Sequence, residues 1–80
     1  MGRQWPTLKA ADVRTILRRA GFTHKRTTGS HEQWEGEVGG QRRVVTLDVN
    51  GEPFTPRSDL TKSMIRQSGL SKAEFYGYLA

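Results

Sequence analysis

The stretch Phe22–Val49, "FTHKRTTGSHEQWEGEVGGQRRVVTLDV", decides the fold. It holds three runs suited to extended chain, separated by two short glycine-bearing breaks. "RRVVTLDV" is the strongest, because Val45, Leu47 and Val49 alternate with Val44, Thr46 and Asp48. Alternation of that kind puts successive side chains on opposite faces of a sheet. The first set is the more apolar and predicts the core face. "VGGQ" supplies a tight turn, since Gly39 and Gly40 can both take positive φ. A second strand is expected from about His31 to Val38, and a first from Phe22 to about Thr27, with a turn at Thr28 and Gly29. Three strands in sequence joined by short turns form an antiparallel meander.

Working outward, "KAADVRTILRRAGF" places Val13, Ile16, Leu17 and Ala20 on one helical stripe. Asp12 stands in its first turn and Arg18 and Arg19 in its last, as the helix dipole favours. Gly21 ends it, with Phe22 folding back on the last turn. Beyond the strands, Asn50 and Gly51 break the chain and Pro53 and Pro56 bound an irregular loop. A second helix is expected from about Ser58 to Ser68, with Leu60, Met64 and Ile65 on its apolar side and Lys62 and Arg66 as a basic pair. Gly69 stops it, and Leu70 covers the end. "SKAE" from Ser71 to Glu74 is a capping box for a short last helix carrying Phe75, Tyr78 and Leu79. Residues 1–8 read as a short arm broken at Pro6. The expected architecture is a small α+β fold of order α-β-β-β-α, a three-stranded antiparallel sheet with its helices on one face.

Eighty residues allow one domain, spanning 1–80. Thirteen Lys and Arg against eight Asp and Glu give a net charge of +5, and the pI is about 10.3. That balance favours a polyanionic partner, RNA or DNA first and an acidic protein second. Without cysteine there is neither a disulfide nor a thiolate metal site. No apolar run approaches the roughly 20 residues of a membrane span, and the start "MGRQWPTLK" lacks an apolar signal core, so a cytoplasmic location is expected.

The histidines are His24 and His31, and no H-x-x-x-H spacing suggests zinc. Glu32, Glu35, Glu37 and Asp48 lie on two adjacent strands and are either solvated faces or a magnesium-binding group. Ser30 and His31, as neighbours in an extended strand, point to opposite faces and make a poor nucleophile and base. His31 by itself is the better candidate. RNA brings its own nucleophile, the 2′-OH, so cleaving it needs only proton transfer and stabilisation of phosphate charge. Gly29, without a Cβ, lets a phosphate approach the backbone. The plain alternative is a surface histidine at a strand start.

"AGFTHKRTTGSHEQW" resembles the opening motif of HicA-type toxins: a helix ending in G-[FW], then x-x-x-R-x-x-G-S-H, then an aromatic or aliphatic residue three places on. Gly21, Phe22, Arg26, Gly29, Ser30, His31 and Trp34 fit it. "MIRQSGLSKAEFYGYL" resembles the family's ending, close to I-L-K-Q-A-G-L-S-x-E-E-F, and the likeness spans about Ala11 to Leu79. The resemblance implies a double-stranded-RNA-binding-domain-like fold. It implies an mRNA interferase of a type II toxin–antitoxin pair, with His31 essential and a HicB-type antitoxin covering it. The residues themselves show no ligand cluster, so no metal and no cofactor is expected. Members often follow the third strand with V-P-x-H; here Leu47, Asp48, Val49 and Asn50 stand there, and the second histidine has no counterpart.

On this reading His31 is general base for the 2′-OH or acid for the leaving group. Arg26 holds phosphate by a paired hydrogen bond. Lys25 should alternate to the face opposite Arg26, so at most one of them meets the site, and Arg42 and Arg43 divide similarly. Gly29 and Ser30 shape the turn and offer backbone N–H groups to phosphate oxygens. Two other classes fit the charge: an RNA-binding module without catalysis, and a protein-interaction module for an acidic partner.

Overall fold

A computed structural model describes residues 4–80. The elements are α1 (Ala10–Arg19), β1 (Thr23–Thr28), β2 (His31–Val38), β3 (Gln41–Asp48), a 3-10 turn (Val49–Gly51), α2 (Asp59–Ser68) and α3 (Lys72–Gly77). The strands form one antiparallel sheet in the order β1-β2-β3. This is the α-β-β-β-α arrangement expected from the chain. Among the described residues no helix is long and apolar enough to cross a membrane.

Both hairpin loops have two residues. Val38 pairs with Gln41 around Gly39 and Gly40, which take φ of 64° and 76°. Positive φ at both central positions is the hairpin turn whose twist suits the flanking strands, and side chains resist it. Thr28 pairs with His31 around Gly29 and Ser30, and there Gly29 alone has positive φ. These loops fix the register, which places Trp34, Val45 and Leu47 toward the helices, all buried. The other face of the sheet carries no helix.

Helix α1 buries Val13, Ile16 and Leu17 on the side of Trp34, Val45 and Leu47. Its Arg14 grips Glu32 of β2 through two guanidinium nitrogens, at 3.1 and 2.7 Å, and the Trp34 indole N–H donates to the same carboxylate at 3.1 Å. Phe22 lies over β2 at Gly36, where a Cβ would stand 2.8 Å from the ring. Helix α2 covers the outer edge of β3, and the Gln67 side chain accepts the Thr46 backbone N–H at 3.0 Å. That contact occupies an edge group otherwise open to pairing with another chain.

Several expectations need correction. The arm is part of the core: Leu8 is fully buried and bridges Phe54 by two backbone hydrogen bonds, and Trp5 stacks on Tyr76 at 4.8 Å. Residues 1–3 of the expected arm lie outside the described residues. The loop after β3 is likewise anchored by a fully buried Phe54. In α2 the buried stripe is Thr61, Met64 and Ser68, while Leu60 is 44% exposed. Thr61 and Ser68 are buried without penalty because each hydroxyl is bonded: Thr61 to Ser58 at 2.8 Å, and Ser68 donating to the Ile65 carbonyl at 2.6 Å. In α3 the buried pair is Phe75 and Tyr76, and Tyr78 is exposed. Val49 leaves the strand and begins the 3-10 turn.

Leu8→Ala should therefore cost about 2–5 kcal/mol in urea unfolding, the range for large-to-small changes in a core. Leu60→Ala should stay within about 0.5 kcal/mol, as surface changes do. Equal effects from the two would refute this account of the packing.

Candidate functional site

His31 opens β2 beside the Gly29–Ser30 turn, in a cross-strand row with Thr28 and Asp48. The row faces away from the helices, because the next row holds Glu32 and buried Leu47. The imidazole is 55% exposed, and its Nε2 lies 3.6 Å from Asp48 Oδ2. That separation is an ion-pair contact rather than a hydrogen bond. Asp48 is itself held. The Ser30 hydroxyl hydrogen-bonds its carboxylate, the Asn50 backbone N–H donates to Oδ1 at 3.0 Å, and His31 adds a favourable charge. In that order these keep the Asp48 carboxyl below its usual range. The Val49 N–H donates to the Ser30 carbonyl at 2.9 Å and joins the turn to the end of β3.

The strand positions of the expected cations differ from a regular alternation. Register slips between His24 and Arg26, so β1 has a bulge at Lys25. Arg26 opposes Gln33, two places from His31 on the same face. Diagonal neighbours of this kind are separated by about 7–8 Å at Cα, within reach of an arginine. Lys25, the extra residue of the bulge, has no partner of its own in the pairing with β2. The charges of both Lys25 and Arg26 bear on Glu35, whose carboxyl is held low first by Arg42, hydrogen-bonded at 2.8 Å. The regular alternation expected for Lys25 and Arg26 is thus interrupted; a bulge re-aims the side chains around it.

Arg42 and Arg43 do divide between faces, but both lie toward the far end of the sheet from His31. Arg42 is engaged with Glu35. Arg43 donates to the Val38 carbonyl at 3.3 Å and packs against Gly69. A Cβ added to Gly29 would meet open space, so its glycine is demanded by the turn's φ of 59°. Ser30 acts on Asp48 through its hydroxyl.

The four strand carboxylates disperse: Glu32 to Arg14, Glu35 to Arg42, Asp48 to His31, and Glu37 opposite Arg42. Among the described residues no three His, Cys, Asp or Glu side chains gather as a metal site would require. His24 lies on the helix side. Its Nε2 is 2.8 Å from the Thr27 hydroxyl and its ring is 5.3 Å from Trp34, in a cleft of about 370 Å³ that Arg14 and Arg18 also line. The two histidines thus serve different faces. Asp48 is the residue that strand-by-strand reading missed as a partner of His31. Counting back from a two-residue Gly39–Gly40 loop sets position 48 opposite position 31, so the signal was present.

Below the sheet, the Arg14 guanidinium holds the Glu32 carboxyl below its usual range, assisted by the Trp34 N–H. A carboxylate lowered by folding adds stability above its unfolded pKa, and that stability is lost as pH falls through the folded value. Glu32→Gln should cost about 1–2 kcal/mol near neutral pH, and the gap from the parent protein should close on acidification through the carboxylate range. A gap independent of pH would show that shape, and not charge, holds α1 to the sheet.

Comparison with family models and with curated proteins finds no match for this chain, so its function must be inferred from its own side chains.

Proposed function

We propose that the chain is a HicA-type endoribonuclease, an mRNA interferase in which His31 carries the proton transfer. The observation that bears this reading is an exposed imidazole set against a carboxylate that is itself fixed from two sides. His31 takes the proton of the RNA 2′-OH, and that oxygen attacks the adjacent phosphorus. Asp48 orients the ring and stabilises the imidazolium that forms. The phosphorane collapses with loss of the 5′ oxygen, which receives a proton from the imidazolium or from water. The products are a 2′,3′-cyclic phosphate and a free 5′-hydroxyl. Lys25 and Arg26 neutralise the phosphate charge, with Gly29 and Ser30 shaping the approach. Within this proposal a HicB-type antitoxin inhibits by covering the helix-free face with acidic groups, and the site is cytoplasmic.

The test uses a defined RNA and the purified chain. His31→Gln keeps size and hydrogen bonding but cannot transfer a proton, and it should reduce cleavage on the order of 10²-fold or more. Its melting temperature should match the parent's, since the ring is more than half exposed. Asp48→Asn should slow cleavage roughly tenfold, because only a solvent-screened charge is removed. Cleavage should persist in excess EDTA. A folded His31→Gln protein that cuts at the parent rate would sink the proposal and leave an RNA-binding module.

A further inference from the structure

On the side built from helices and loops lies a second concavity, of about 730 Å³, lined by Gln4, Trp5, Thr55, Arg57, Lys62 and Lys72, with Pro56 at its wall. Three of its lining residues are cations and none is a carboxylate. All three cations are exposed, and among the described residues none of them makes an ion pair. Elsewhere Arg14 pairs with Glu32 and Arg42 with Glu35, while Arg43 and Arg19 donate to backbone carbonyls. Like charges left unpaired around a recess repel one another, and the low-dielectric walls focus their field into it. Such a recess favours an anion.

Its walls are fixed. The Leu8–Phe54 bridge holds the segment after Trp5 against the loop that carries Thr55 and Arg57. Trp5 stacks on Tyr76, and the Lys72 ammonium sits 6.0 Å from its ring centroid. Ser58 caps the helix bearing Lys62, and the Ser71–Glu74 capping box fixes the start of the helix bearing Lys72. The size falls in the range of roughly 300–1,000 Å³ that holds small ligands. Cations along a groove are what single-stranded nucleic acid uses to hold its phosphates.

We propose that this cleft is a groove for the phosphodiester backbone of single-stranded RNA, separate from the His31 face. No lining residue comes from the sheet. Its choice of RNA rests on the reading of the chain as one that acts on RNA. The groove would hold the strand while another segment of it meets His31.

The probe is a fluorescein-labelled 2′-O-methyl oligouridine, which cannot be cleaved through a 2′-OH, followed by anisotropy across a salt series. Replacing Arg57, Lys62 and Lys72 together by Ala should weaken binding about tenfold or more and reduce the salt slope by about 2, each lost phosphate contact being worth roughly 0.7. The melting temperature should not move, because all three are exposed. Unchanged affinity and slope would overturn the groove while leaving His31-dependent cleavage of unmodified RNA standing. Cleft-dependent binding by a chain that never cleaves RNA would uphold the groove and remove the nuclease. Polyglutamate that binds as tightly, with the same dependence on the three cations, would make the occupant an acidic protein and overturn the assignment to RNA.

Discussion

The register of the sheet is the constraint on which the rest depends. A slip of one residue would turn every side chain of a strand to the other face. Trp34, Val45 and Leu47 would then meet solvent, and His31 would face the helices. Two two-residue loops prevent this. Gly39 and Gly40 take backbone angles that β-branched or bulky residues resist, and they leave Val38 no partner but Gln41. From that one pairing follow both the apolar face on which α1 and α2 pack and the row that sets His31 against Asp48.

The two faces of the sheet are then used differently. The helix side spends its polar groups on attachment: Glu32 joins Arg14 to the Trp34 indole, so one carboxylate ties α1, β2 and the largest ring of the core. The open side carries no helix, and His31 there is 55% exposed with Asp48 3.6 Å away. The proton transfer proposed for His31 would need that freedom. The same side chain tied into the helix interface would be structural. The bulge at Lys25 interrupts the alternation of β1 just beside Arg26.

Local chemistry made much of this legible. The three strands, both glycine turns and most of the helix ends depend on hydrogen bonds and φ angles spanning a few residues. The Ser71–Glu74 capping box and the left-handed Gly69 behave as their neighbours in sequence dictate. One helix end did not. Helix α1 begins after Lys9, a poor cap, and its Ala10 N–H is satisfied at 2.6 Å by Glu52, far along the chain. No short window contains that pair.

By itself, then, the sequence determined the order of elements, the alternation in β3 and the candidacy of His31, because each follows from residue type and spacing nearby. Tertiary structure decided what is buried and what meets what. Leu8 and Phe54 are core because they find each other and fill the same space, although one sits before α1 and the other in a proline-bounded loop. Leu60 is outside while Thr61 is inside, because burial follows the direction of the side chain and not its polarity, once Ser58 satisfies the hydroxyl. The alternation of β1 is broken beside Arg26 only because a bulge interrupts the pairing with β2. His31 acquires Asp48 by the closure of a hairpin, since contacts across strands depend on register, and register is a property of the assembled sheet.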